Sequence, residues 1–480
     1  MNDYEYLVAR VGQTAADRAV NLGYVENSQT DGPTPTPSSD MLHPAAMTDP
    51  VQATLWPDFA VAPPASQARR KARSGAFTDN MALPIHRWFR YSAGFSAEWA
   101  ELMIGRDCPP DGVVFDPFAG SGTTLLAARA TGRASLGVEA HTFVRRVAEA
   151  KLAIVDVDAF EAAAYRMVEA SRHTAAPELS QAPDLIGRCF EQDVLDGLTR
   201  LRDAWRSRRP ETEAIDGLLS LALTAILRPC SHVGTAQWQY VLPTRRKASV
   251  ADPYVAFRDR IAMMAQDLHA TGSSVASAQM FQGDARTCAD IADASVDLVV
   301  TSPPYPNNYD YADATRLEMT FWGEVESWSD LQSVVRRKLI RSCSQHSAAE
   351  KLNLESLLAR PALEPIREEL TQVCHALAEV RMTKGGRKTY HTMIAAYFAD
   401  MADTFHALRR VVKPGGVCHL MIGDSAPYGV YAPCDRWMGE LALAAGFRTW
   451  TFEKVRDRNL KWKNRKHDVP LKEGVLTVIG

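Results

Sequence analysis

The 480-residue sequence contains no CxxC pair; its eight cysteines, from Cys108 to Cys434, are scattered. That spacing excludes a zinc knuckle or a disulfide framework and points to reduced thiols. The twelve histidines are equally dispersed, so no metal site is expected. Long apolar runs are also lacking: the longest, Leu218 to Leu227, is interrupted by Ser and Thr, and a membrane span needs roughly 18 or more residues. The start, MNDYEYLVARVGQ, has neither the basic segment nor the apolar stretch of a signal peptide, which implies a cytoplasmic protein with no membrane partner. A net charge of −3 excludes a polycation that coats nucleic acid, although a near-neutral chain can still carry one basic face. No repeat of 20–50 residues is visible, which excludes a solenoid.

What remains is an ordinary globular composition, 46% hydrophobic and 23% charged. Residues 1–76 read as a flexible leader with a short helix near its start. From Asn27 to Arg73 the leader is rich in Pro, Ser, Thr and Ala and buries too little apolar surface to offset its ordering entropy. Beyond Phe77, short apolar runs alternate with helical stretches. Strands are expected at 113–115, 134–138, 296–300, 417–422, 447–452 and 475–479, with helices at 123–130 and 397–411. Such alternation predicts an α/β fold, a doubly wound and mostly parallel sheet covered on both faces. The segments 155–275 and 323–390 break the rhythm and read as helical insertions. The catalytic fold is then divided into 77–154, 276–322 and 391–480.

The first strand ends in DPFAGSGTT, Asp116 to Thr124, and a helix follows. Gly120 and Gly122 permit a tight turn and close approach of a ligand to the backbone. Glu139 ends the next strand, where a doubly wound sheet places an acid beside a bound ribose. No Lys follows these glycines, so a triphosphate loop is disfavoured. The third glycine of a dinucleotide turn is replaced by Leu125. The ligand implied is a nucleoside without a pyrophosphate.

The strand at 296–300 leads directly into Ser302-Pro303-Pro304-Tyr305. Together with DPFAGSGT, this tetrad resembles the S-adenosylmethionine-dependent DNA amino-methyltransferases, which modify N4 of cytosine or N6 of adenine. The resemblance runs from about Phe77 to Gly480 and implies a seven-stranded Rossmann-like methyltransferase sheet. It assigns LPIHRWFRYSAGFS (83–96), with His86, to the methionine half of the cofactor. Asp116, Phe118, Gly120, Gly122 and Thr123 match the cofactor loop, Glu139 the ribose acid, and Asp284 the acid that meets adenine. DSAPYGVYAP (424–433) also resembles the family, with no role derivable from sequence. Ser at the head of the tetrad goes more often with N4-cytosine, and Asp or Asn with N6-adenine.

The chemistry fits residues that are neither acid nor metal ligand. An exocyclic amino group is a poor nucleophile because its lone pair is delocalised into the ring. Acceptors at Ser302 and the Pro303 carbonyl would localise it, so positioning supplies most of the rate. The base must leave the duplex, and Tyr305 would stack on it. C5-cytosine chemistry would need a Cys nucleophile. Pro229-Cys230 lies in a helical insertion and Pro433-Cys434 late in the chain, neither at the right place.

Double-stranded DNA is the expected partner, with a restriction or defence-system protein as a further one; oligomeric state is not legible. From Lys454 to Lys466 the segment holds seven basic residues (Lys454, Arg456, Arg458, Lys461, Lys463, Arg465 and Lys466) against one acid, a composition suited to phosphates. Arg336, Arg337, Lys338 and Arg341 form a second basic cluster; Arg381, Lys384, Arg387 and Lys388 form a third. Trp238 and Tyr240 in QWQYVLP are candidates to contact the target base. Two other readings stay open: an RNA or protein-amide methyltransferase, and a catalytically idle DNA-binding subunit.

Overall fold

A computed structural model describes residues 77–480, apart from 92–93, 176, 179, 181, 234–245, 248, 273–275, 308, 350, 387 and 459–468. The leader, Trp238, Tyr240, Lys461, Lys463, Arg465 and Lys466 lie outside the described residues.

The strands are β1 (Val113–Asp116), β2 (Ala134–Glu139), β3 (Ala278–Gln282), β4 (Val296–Thr301), β5 (Val412–Gly423), β6 (Thr449–Arg458) and β7 (Leu471–Ile479). They form one seven-stranded sheet in the order β3-β2-β1-β4-β5-β7-β6. β7 alone runs antiparallel to both its neighbours, and the other pairings are parallel. The doubly wound, mostly parallel α/β expectation therefore holds. β3 was not anticipated: its AQMFQ sequence lies at the sheet edge and has no fully buried position. β5 begins earlier than expected, because Val412 already pairs with Val296 and the KPGG residues bulge before pairing resumes at Val417.

Side chains alternate across the sheet, as the two-residue period of a strand requires. Val114, Leu298 and Val300 face α1 (Ala97–Asp107) and α2 (Thr123–Ala130), through Trp99, Met103, Ile104, Ala127 and Ala128. Phe115, Val299, Cys418 and Leu420 face the opposite layer. Its centre is a 22-residue helix, Tyr390–Val411.

Between β2 and β3 the chain forms α3 (Thr142–Leu152), α4 (Val157–His173), α5 (Gln192–Ser207), α6 (Glu213–Cys230) and α7 (Pro253–Thr271). After β4 come α8 (Arg316–Trp322), α9 (Arg367–Thr383), α10 (Tyr390–Val411) and α11 (Cys434–Ala444). α10 is buried almost all round, from Thr392 to Ala402 without a break. A helix apolar on every side must be covered on every side, and α9 and α11 share that task with the sheet.

α6 and α7 brace the catalytic fold. Arg228 on α6 forks onto the buried Glu318 of α8, at 2.6 and 3.0 Å. Thr224 accepts the indole N–H of Trp322 at 2.9 Å. On α7, Asp267 accepts from the Ile85 amide at 3.0 Å, the Trp88 indole at 2.9 Å and the Arg87 guanidinium at 2.6 Å. Those donors hold Ile85 at φ 64, a left-handed conformation that a β-branched residue adopts only when its surroundings impose it. No helix among the described residues is long and apolar enough to cross a membrane.

The β6–β7 hairpin has a register shift between Lys454 and Arg456, opposite Gly474. A Cβ on Gly474 would lie 2.2 Å from the Glu453 carbonyl oxygen and 2.6 Å from Phe452 Cζ, and backbone there cannot yield cheaply. Gly474→Ala is expected to lower stability by about 1–3 kcal/mol, read as a shift in the denaturant midpoint of the full chain.

Candidate active site

The strand order reverses between β1 and β4, since β2 and β3 extend the sheet one way and β5 the other. Ligands of open α/β sheets bind at such a switch, beyond the carboxyl ends of the strands. Both sequence motifs leave the sheet at this point: DPFAGSGT from β1 and SPPY from β4.

Asp116 does not face the ligand. Its carboxylate is fully buried and accepts the Thr301 hydroxyl at 2.5 Å, the Thr124 hydroxyl at 2.6 Å and the Phe118 amide at 3.0 Å. Burial pushes its pKa up to about 6, and the hydroxyl donors hold it from rising further. The Thr124 hydroxyl also reaches the Val300 carbonyl oxygen at 2.9 Å. Asp116 thus ties the glycine turn, α2 and β4 together from below. Sequence placed Asp116 among the cofactor residues; its carboxylate is buried and engaged by protein donors.

Above it, Gly120 and Gly122 take φ of 53 and 87. A Cβ at Gly120 would stand 3.4 Å from the Tyr91 ring, and one at Gly122 would stand 3.3 Å from Ala148 Cβ on α3. Glu139, at the end of β2, accepts the Gly120 amide at 2.9 Å and the His141 amide at 2.7 Å, one on each oxygen. Burial raises its pKa to about 7, with those backbone donors opposing. The Ala140 amide also donates to this carboxylate, and its oxygens retain capacity for further donors.

These groups open onto a cleft. Of the residues singled out in sequence, Phe118, Gly120, Glu139, Asp284, Ser302 and Pro304 line it. Asp116, Gly122 and Thr123 support it from behind. His86 does not reach it: the ring is buried, with its pKa lowered to about 3 by burial and by the nearby Lys151. Lys151 on α3 is itself buried and donates to the His86 and Phe89 carbonyl oxygens at 3.2 and 3.4 Å, fixing that turn as structure. From the same motif it is Tyr91 that lines the cleft. Asp284 is forked by Arg286, the shortest contact 2.7 Å. More of the wall comes from His141, Tyr311, Leu339 and Ile340, none of which carried a sequence signal, and from Lys338, which sequence placed only in a basic cluster.

The SPPY segment is braced on three sides. Pro303 is buried. The Ser302 hydroxyl donates to the Met421 carbonyl on β5 at 3.1 Å and is also hydrogen-bonded to the Tyr305 hydroxyl, whose pKa burial pushes well up. The Tyr305 ring packs over Gly423, where a Cβ would come within 3.0 Å of it. Ser425 donates to the Pro306 carbonyl, and Asp424 accepts the Tyr431 hydroxyl at 2.9 Å. This is the work of the DSAPYG loop: it props the tetrad.

The basic residues are placed otherwise than their composition suggested. Lys454 pairs with Asp457 at 2.8 Å, and Arg456 with Glu473 at 2.7 Å. Arg458 lies over the Tyr305 ring, 4.9 Å from its centroid, and donates to the Asp424 carbonyl at 2.8 Å. In the second cluster Arg336 is buried against Asp310 at 2.7 Å, and Arg341 pairs with the buried Asp400. Asp310, Cys343 and His346 converge closely enough to suggest a metal, but Arg336 already neutralises that carboxylate.

A family model described as DNA methylase matches residues 34–150, which include the glycine turn and Glu139. Type II methyltransferase M.BsoBI of Geobacillus stearothermophilus is 24% identical over 414 residues, covering 78% of this chain and 80% of the relative. Type II methyltransferase M.AvaI of Anabaena variabilis is 24% identical over 410 residues, covering 78% and 81%. Type II methyltransferase M.ScaI of Streptomyces caespitosus is 42% identical over a shorter stretch of 69 residues, 14% of this chain and 21% of the relative. A SAM-dependent methyltransferase structure from Methanosarcina mazei overlaps with a TM-score of only 0.27 at 9% identity, over 78% of this chain and 96% of that one; the fold is read instead from the strand order. Over residues 34–150 this chain is therefore similar to the DNA methylase family, and over 78% of its length to two Type II methyltransferases.

Proposed function

We propose that the chain methylates N4 of a cytosine flipped out of duplex DNA, with S-adenosylmethionine as donor. One observation carries the reading: Ser302 and Pro304 line the same cleft as Gly120 and Glu139. The cleft fits a nucleoside donor. Gly120 leaves the turn open to close approach, and Glu139 retains lone pairs for ribose hydroxyls. Asp284, Leu339 and Ile340 offer an acid and apolar surface for a purine. When bound, the donor supplies an electrophilic methyl on a sulfonium.

The residues do the rest by placement. With the Ser302 proton on the Met421 carbonyl and one lone pair toward the Tyr305 hydroxyl, its oxygen keeps one lone pair, the polarity needed to accept from an exocyclic N–H. Accepting that hydrogen draws the nitrogen lone pair out of conjugation and toward the methyl. Tyr305 would hold the base by stacking. Arg458 covers the Tyr305 ring in this structure, so stacking requires the guanidinium to exchange for the base, and a backbone phosphate is its natural new partner. Ser at the tetrad head favours N4-cytosine over N6-adenine. Relatives named as Type II methyltransferases support a role as the modification partner of a restriction system.

The deciding experiment incubates the full chain with labelled S-adenosylmethionine and duplex DNA and identifies the modified nucleoside by mass spectrometry. N4-methylcytosine supports the reading, N6-methyladenine overturns the choice of base, and label entering only tRNA or protein overturns DNA as substrate. Tyr305→Ala should lower turnover by about two orders of magnitude while donor affinity changes by less than about threefold; turnover near wild type would remove Tyr305 from the reaction. Glu139 must be ionised to accept two hydroxyls, and its pKa stands at about 7. Donor affinity should therefore tighten roughly tenfold from pH 6 to pH 8, by calorimetry, and Glu139→Gln should abolish that slope.

A further inference from the structure

We infer that Arg336–Arg341 is a strap of the cofactor site, closing on the adenosine end of the donor and linking its presence to the loop that follows SPPY. The inference rests on the methyl-donor reading above. Lys338, Leu339 and Ile340 line the same cleft as Glu139 and His141, although in sequence they lie more than thirty residues beyond the tetrad, inside the second insertion. Leu339 is half-buried and Ile340 buried, a short apolar ledge of the kind that a purine face covers.

Both ends of the strap are fastened. At one end Arg336 forks onto Asp310 through Nε at 3.1 Å and Nη2 at 2.7 Å, with neither side chain more than 1% exposed. At the other, the Arg341 amide and Nε reach Asp400 on α10 at 3.0 and 2.9 Å. Asp400 also takes Arg286 at 3.4 Å, and Arg286 holds Asp284 in the cleft. Planar guanidinium forks fix orientation as well as distance, so the ledge has little freedom unless a pair opens.

The Asp310 attachment gives the strap its second consequence. Asp310 also accepts the Ala312 and Asp313 amides at 3.2 and 3.3 Å, which shapes the turn behind the catalytic segment. Its neighbour Tyr311 lines the cleft and is hydrogen-bonded to the Tyr305 backbone. A donor pressing on Leu339 and Ile340 therefore acts on a rigid body whose far end holds the chain five residues from Tyr305. Arg336 and Arg341 are positioning residues in this scheme, and Leu339 makes the contact.

Amide hydrogen exchange on the full chain, with and without S-adenosylmethionine and no DNA, tests this. Exchange should slow at 118–122, at 336–341 and at 309–313 together. Slowing at 118–122 with no change at either other segment overturns the strap and leaves the donor reading intact; no slowing anywhere overturns both. Leu339→Ala supplies a kinetic check at a half-buried site that folding tolerates. Its KM for S-adenosylmethionine should rise about tenfold, and saturating donor should restore turnover. An unchanged KM in a variant of normal thermal midpoint would overturn the contact.

Discussion

The site depends on a fully buried carboxylate that lies outside the cleft lining. Asp116 gathers the Thr124 and Thr301 hydroxyls and the Phe118 amide, and in doing so locks the end of β1 to the end of β4. Without that knot the glycine turn and the SPPY segment would leave neighbouring strands with no fixed relation to each other. Charge-assisted hydrogen bonds in a water-free setting are short and directional, which suits them to hold two loops in register. The arrangement is also exposed to loss: removal of one hydroxyl leaves part of a buried carboxylate unsatisfied, which costs more than the bond itself contributes.

A second principle of the molecule is that its long insertions reach back. α7 holds the turn around Ile85 and Trp88 through Asp267. α6 holds α8 through Arg228 and Glu318. The segment at 336–341 forms part of the cleft wall. Burying such pairs gains little net stability against an apolar alternative, because desolvation cancels most of the attraction, while breaking one partner away is costly. Their value lies in orientation.

Sequence made the core of the site legible where the information is local. DPFAGSGT fixes its own turn through positive-φ glycines, SPPY stiffens its own exit from a strand, and Glu139 is placed by strand length alone. What stayed hidden was set by long-range contacts. Arg336 and Arg341 look like surface charge until Asp310 and Asp400 arrive from elsewhere in the chain. Arg458 belongs by composition to a basic run, yet the hairpin delivers it to Tyr305. β3 has no sequence signal because an edge strand needs no apolar run, and the buried position of His86, in a turn anchored by Lys151, is equally invisible in sequence.

The ionisation states around the cleft limit what chemistry it can perform. Tyr91, Tyr305 and Tyr311 all have their pKa values pushed upward, chiefly by burial, so they remain neutral donors and acceptors at any physiological pH. His141 is held neutral by burial, its pKa lowered to about 3. Among the lining groups with resolved shifts, only Glu139 titrates near neutrality, and its two backbone contacts place it beside the glycine turn, on the far side of the cleft from the tetrad's strand. The proposed chemistry therefore rests on geometry, with a hydroxyl oxygen turned to accept, a rigid proline bend and a ring held in place. That is the demand set by a weak amino nucleophile attacking a strong methyl electrophile, and the architecture from Asp116 outward serves to hold those few atoms still.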